Sequence, residues 1–270
     1  MLDASAPTPK RYAAGRARAL GLPTRGTTNP NRLRRVDRHL AAVHGSLLAR
    51  AASPLVVDLG YGATPITAVE LHDRLSRICP SVEVVGVEID QSRVDAALSA
   101  ARDGLRFVRG GFELAGLRPL VVRCLNVLRQ YDEPAALAAW DTMLAGLQPD
   151  GLLLEGTCDE VGRRASWVTL SPSGPVSLTL AANLGSLDRP SSLAERLPKA
   201  LIHHNVPGQP INALLSALND AWDRAAPYAA YGPRQRWVAA CESLQWDKTG
   251  VRRWRDGELT VPWSTVAPLT

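Results

Sequence analysis

The sequence predicts an α/β fold: a mostly parallel sheet, helices on both of its faces, and a helical cap toward the C-terminus. Three observations predict it. From residue 54 onward, short runs that are apolar on both faces alternate with stretches of helical periodicity, the pattern of strands buried between two layers of helices. Gly60 and Gly62 follow the first of these runs directly, as in a strand–turn–helix unit. After residue 165 the alternation stops, and a hairpin pattern leads into a long helical region over 191–247.

The elements follow in order. Residues 1–30 hold Pro, Gly, Arg and Thr without periodicity and read as a basic, flexible arm. Leu33, Val36, Leu40, Val43 and Leu47 recur at steps of three and four, which predicts a helix over 31–50 with one apolar stripe. The first strand is expected at 54–59. Thr64 is placed to cap the next helix with Pro65 in its first position, and Pro80 stops that helix near Cys79. "VEVVGVEI" gives a second strand at 82–89, and Asp90 caps the helix after it. Strands three and four are expected at 105–110 and 119–127, a helix at 133–147, and strand five at "LLLEGTC". "WVTL", "SPSG" and "VSLTLAA" then form an antiparallel hairpin, and Asp256-Gly257 in "RRWRDGELTVPW" marks a second one.

Composition narrows the class. The chain has 270 residues, 46% hydrophobic and 21% charged, enough for one large domain with an added cap. No apolar run approaches the roughly 18–20 residues that span a bilayer, so no membrane association is expected. The N-terminus lacks an apolar segment behind its charges, and Cys79, Cys124, Cys158 and Cys241 form no CxxC pair. A reducing cytoplasm, no disulfide framework and no metal site are the expectations. Net charge is +5, and residues 1–50 carry ten basic and two acidic residues. Such an arm is able to hold nucleic acid. Arginine outnumbers lysine 28 to three, however, and that bias raises Arg everywhere in the chain.

The stretch "PLVVDLGYGATPIT", residues 54–67, poses the functional question. Gly60 and Gly62 let the backbone approach a ligand, and the helix that follows offers free N–H groups. A full dinucleotide fingerprint wants Gly three residues after Gly62, where the chain has Pro65. Asp58 would repel a pyrophosphate in this turn: two like charges about 5 Å apart at an effective dielectric near 20 cost about 3 kcal/mol. The same carboxylate attracts a cation, which favours S-adenosylmethionine, with its ammonium and sulfonium, over NAD or FAD. Glu88, at the end of the second strand, is placed to accept hydrogen bonds from a ribose diol.

"VVDLGYGATP", "VVGVEID" and "NVLRQY" resemble the successive motifs of class I S-adenosylmethionine-dependent methyltransferases, over roughly residues 50–185. The resemblance implies a Rossmann-like sheet of seven strands, six parallel and one antiparallel. It implies that Asp58, Gly60 and Gly62 take the methionine end of the cofactor and Glu88 the ribose. It places Ile89 against the adenine, with Gly111 and Phe112 of "GGFEL" covering it, and Asn126 nearest the transferred methyl. An Asn-Pro-Pro-Tyr type motif is absent, which argues against an adenine-N6 or glutamine methylase. "GTCDEVGRR" resembles a stretch of bacterial members of the family. The implied domains are a cofactor-binding unit at 31–185 and a helical cap at 186–270 that completes it.

The acceptor is left to the cap. In-line displacement at a sulfonium is accelerated largely by positioning, and a hydroxyl acceptor also needs a base. His203 and His204, at a helix end before a Pro/Gly loop, are the expected bases. Asp159 and Glu160 read as structural or surface groups, Tyr131 as a possible acceptor contact, and Cys158 as small buried packing. Trp222, Trp237, Trp246, Trp254 and Trp263 read as packing of the cap onto the sheet in preference to an aromatic wall. The expected function is methyl transfer to oxygen of a small molecule or saccharide. The alternatives are an RNA acceptor held by Arg11–Arg38 and a cofactor-binding module that no longer transfers methyl.

Overall fold

The computed structural model describes residues 28–269, so most of the basic arm lies outside the described residues. One sheet of eight strands organises the molecule, in the order β3-β2-β1-β4-β5-β6-β7-β8. The first five are β1 (Leu55–Leu59), β2 (Glu83–Glu88), β3 (Leu105–Arg109), β4 (Val121–Leu125) and β5 (Leu152–Cys158), all parallel to one another. Each bears apolar residues toward both faces. Val56 and Leu154 pack into one core layer, Val57 and Leu153 into the other.

The first layer is covered by α1 (Arg34–Arg50), α2 (Ile66–Leu75) and α3 (Gln91–Ala97). The second is covered by α4 (Glu133–Ala145) and by cap helices, of which α5 (Lys199–Ile202), α6 (Pro210–Arg224) and α7 (Pro233–Ser243) are the α-helical parts. Asp90 caps α3 by accepting from Ser92 N–H, as expected, and Asp132 caps α4 through Ala135 N–H. α2 differs: Pro65 itself is the capping residue, and Thr64 makes no cap bond. The stripe on α1 also shifts. Val43 is 43% exposed, while Asp37 and His39 are buried. Polar residues replace aliphatic ones there because partners on β4, α2 and β8 wait for them.

The sheet departs from the implied seven strands, six of them parallel. No helix joins β5 to β6 (Arg164–Ser171); the chain reverses at once and the two strands pair antiparallel. Asp159 builds the reversal. Its carboxylate accepts the N–H groups of Val161, Arg163 and Arg164 at 3.2, 2.8 and 2.9 Å, and Gly162 supplies a positive φ of 66°. β7 (Gly174–Ala182) and β8 (Glu258–Pro262) continue antiparallel, so five parallel strands adjoin a three-strand antiparallel edge.

The second expected hairpin is not one. Residues Val251–Asp256 form a 3₁₀ turn, and Gly257, at φ 79°, ends it and starts β8. A Cβ at Gly257 would lie 2.2 Å from Ala182 O, so this close approach to β7 needs glycine. The cap residues therefore lie between β7 and β8, the two strands at the sheet's far edge. Trp222, Trp237 and Trp254 are buried in its core, with Trp246 and Trp263 packed against it. Among the described residues no helix is long and apolar enough to cross a membrane.

Candidate functional site

A cavity of about 860 Å³ opens at the carboxyl ends of β1 to β4. Asp58, Gly60, Gly62, Glu88, Ile89, Gly111, Phe112 and Asn126 all line it. They arrive from four strands because each sits at or just past a strand's last residue, where the sheet's hydrogen bonding stops and the backbone turns away.

Gly60 and Gly62 adopt φ of 71° and 90°. A Cβ on Gly60 would meet Val127 Cγ2 at 2.6 Å, and one on Gly62 would meet Thr28 Oγ1 at the same distance. The turn thus runs between β4's exit and the segment before α1 with no room for a side chain. Tyr61, between the glycines, is buried. Its ring meets Phe107 edge-on and its hydroxyl donates to Arg93 O at 3.2 Å. Burial, reinforced by the Glu88 charge, raises its pKa and keeps the phenol neutral.

Asp58 is not the open carboxylate that the sequence suggested. It stands opposite Arg123 in the β1–β4 register, and both side chains face α1 and α2. Arg123 is fully buried. It donates from Nε to Asp58 Oδ1 at 3.0 Å and from Nη2 to Thr67 O at 2.9 Å, and its Nη1 pairs with Asp37. Thr67 Oγ1 in turn donates to Asp58 Oδ2 at 3.0 Å, and Arg74 pairs with Asp37 at 2.6 Å. Burial works against the Arg123 charge, but the two carboxylates more than offset it and its pKa rises. The four charges balance. The signal for this network was present in "PLVVRCLNV": an arginine inside an apolar strand must be paired.

Glu88 is 4% exposed and equally committed. Its Oε2 accepts Gly62 N–H at 3.1 Å, its Oε1 accepts Ile89 N–H at 2.9 Å, and Arg93 lies 3.6 Å away. Phe112 meets Tyr131 edge-on at 5.4 Å across the cavity's β3 side. Asn126 holds a left-handed φ of 65°, and its amide is used at both ends. Nδ2 donates to Cys158 Sγ at 3.1 Å, and Oδ1 accepts Cys158 N–H at 2.9 Å. A non-glycine residue held in that region at a strand end is a strained position of the kind that collects at binding sites. Burial raises the Cys158 thiol's pKa, opposed by Arg32 and Asn126, which leaves it a packing residue.

The expected bases are elsewhere. Neither His203 nor His204 lines the cavity. His203 is exposed, and His204 Nε2 lies 2.7 Å from Glu133 Oε1, tying the cap to the start of α4. A helix end near a Pro/Gly loop is readable from sequence, but which way it faces is decided by the cap's packing. Three arginines of the basic stretch are also committed. Arg32 Nε donates to Asp159 O, Arg34 Nη1 to Val161 O and Arg35 Nε to Gly162 O, at 3.1, 2.9 and 3.2 Å. These guanidinium groups anchor α1 to the β5–β6 turn. Among the described residues no three His, Cys, Asp or Glu side chains gather as a metal site.

No family model matches the chain, and no curated protein matches it. Solved structures do. The chain is similar to a magnesium protoporphyrin IX methyltransferase from Synechocystis PCC 6803 with bound SAH, at 22% identity and a TM-score of 0.37, over 46% of this chain and 53% of that one. It is similar to an O-methyltransferase domain, StiE, at 19% identity and TM-score 0.35, over 46% and 41%. A mitomycin 7-O-methyltransferase matches at 17% and 0.33, over 45% and 38%. The chain thus spans about half or less of the length of these three structures.

Proposed function

We propose that the chain is a class I S-adenosylmethionine-dependent methyltransferase that transfers methyl to an oxygen of a small-molecule acceptor. One observation carries the reading: a buried carboxylate, Glu88, already takes a backbone N–H that a dinucleotide's pyrophosphate would need. Glu88 Oε2 takes the Gly62 N–H of the glycine turn, and Asp58 sits against the first turn of α2 through Thr67. A diphosphate would have to displace Glu88 from the Gly62 N–H, against its charge. A ligand with an ammonium and a sulfonium and no phosphate meets no such obstacle.

The residues fit that group. Gly60 and Gly62 present bare backbone to the cavity and would receive the methionine end beside Asp58. Glu88 would accept from the ribose, and Ile89, Gly111 and Phe112 would enclose the adenine, leaving Asn126 toward the methyl. S-adenosylmethionine, when bound, supplies a methyl carbon on a sulfonium leaving group. The protein's share is to fix the angle of approach and exclude water. The small-molecule acceptor is preferred to RNA because Arg32, Arg34 and Arg35 are bonded to backbone carbonyls.

Calorimetric titration of the full chain with S-adenosylhomocysteine, NAD and FAD tests this. Binding of S-adenosylhomocysteine alone supports it. Binding of either dinucleotide, or of none of the three at millimolar concentration, overturns it.

A further inference from the structure

Resting on the methyltransferase reading, the exit of β4 accounts for how the glycine turn keeps its shape. Asn126 follows β4's last residue at φ 65°, in the left-handed region that Asn and Asp tolerate better than other side chains. The next residue gives that turn its importance. Val127 packs on Gly60 so closely that a Cβ there would meet Val127 Cγ2 at 2.6 Å. Gly60 N–H also donates to Val87 O at 2.7 Å, so the glycine is held between β2 and Val127. The backbone of Asn126 sets where Val127 stands, and Val127 sets one wall of the turn.

β5 holds Asn126 in that conformation. Its N–H donates to Gly156 O at 2.8 Å and continues the β4–β5 ladder by one bond. Its side-chain amide then closes on Cys158 from both ends: Oδ1 accepts the backbone N–H at 2.9 Å, and Nδ2 donates to Sγ at 3.1 Å. Cys158 is fully buried, and its thiol stays neutral. A glycine would adopt this φ without strain. Asparagine brings strain, and what it adds is an amide whose two ends meet one residue on the next strand.

We infer that Asn126 and Cys158 are positioning residues: together they clasp the exit of β4 to β5, and so hold Val127 against Gly60 in the shape that receives the methionine end of the cofactor. Beyond packing, Cys158 is the acceptor that fixes which way the amide faces. The clasp acts through Val127 and requires no contact of its own with the ligand. Such support decides how well a turn is preorganised before anything binds, and preorganisation is read as affinity.

The test is a double-mutant cycle on the full chain, read by calorimetric titration with S-adenosylhomocysteine. Asn126→Gly keeps the left-handed backbone and deletes the amide, and is expected to weaken binding about tenfold. Cys158→Ala deletes the sulfur and is expected to weaken it about fivefold, and Cys158→Ser, which keeps an acceptor for Nδ2, to recover most of that loss. Arg32 also reaches the thiol, so the double variant isolates the share of Asn126. It is expected to bind no more weakly than Asn126→Gly alone. Circular-dichroism melts show which variants are folded at the titration temperature; if Asn126→Gly is not, the contrast between Cys158→Ala and Cys158→Ser decides. Wild-type affinity in Asn126→Gly, Cys158→Ser as weak as Cys158→Ala, or fully additive losses in the double variant overturn the inference. If wild-type chain fails to bind S-adenosylhomocysteine, the underlying function fails instead.

Discussion

Arg123 and Asp58 face each other on adjacent parallel strands as a buried, two-point ion pair, with Nη2 2.7 Å from Oδ2 and Nε 3.0 Å from Oδ1. Arg123 also holds Asp37, so its removal strands two buried carboxylates. Arg123→Gln is expected to cost about 3–5 kcal/mol of stability, the range for breaking a buried pair from one side. Asp58→Asn leaves Arg123 paired with Asp37 and should cost less, about 1–3 kcal/mol. Urea unfolding midpoints of both variants check the order, and a costlier Asp58→Asn would contradict it.

Glu155 gives a pH prediction. It is buried on β5, with Trp140 Nε1 at 3.3 Å from Oε2 and, among the described residues, no partner for Oε1. Burial pushes its pKa up to about 8, opposed only by that hydrogen bond. A carboxyl whose pKa is higher in the folded state binds more protons folded than unfolded, so stability falls as pH rises. Its contribution is intact below the ordinary carboxylate range and is lost as pH climbs toward 8. Glu155→Gln should remove a slope amounting to a few kcal/mol between pH 5 and 8. Unfolding free energies of both proteins across that range measure it, and parallel profiles would refute it.

Gly62→Ala combines two faults. Alanine at φ 90° is strained by about 1–2 kcal/mol, and its Cβ would strike Thr28 Oγ1. We expect a lower melting temperature together with weaker S-adenosylhomocysteine binding, since the turn that would receive the cofactor must open. Unchanged affinity in a calorimetric titration would remove the turn from the binding site.

His204→Ala should cost no more than about 1 kcal/mol, the worth of a half-buried pair with Glu133. It should leave methyl transfer within about twofold, because His204 does not line the cavity. A rate loss of two orders of magnitude or more, the usual signature of a missing base, would return this histidine to the chemistry.

The parts of this molecule legible in its sequence are those decided locally. Apolar runs bounded by turn residues located β1 to β5 within a residue or two, because a strand buried on both faces leaves little choice of residue type. The glycine turn and Glu88 were legible because a positive φ and a strand-end carboxylate are local facts. The β5–β6 reversal was legible only in part: Asp159 reads as a structural or surface group, but the turn it builds with Gly162 does not show in the local pattern. A connection of that length is fixed by where Asp159's carboxylate finds its N–H partners. The pairing of Asp58 was missed for a related reason. Its partner lies 65 residues away, and only the strand register brings them opposite.

The course of the chain between β7 and β8 has a consequence for how substrates enter. The cap is not a flap hung from one end of the protein. Its two stems, β7 and the edge strand β8, are bonded to each other, from Ser177 opposite Pro262 to Ala181 opposite Glu258. Swinging it outward would mean unzipping that ladder. Traffic to the cavity is therefore expected past the opposite rim, where Thr28 to Arg32 is held by side-chain hydrogen bonds to Tyr61, Glu160, Glu70, Arg74 and Asp159 in place of a strand ladder.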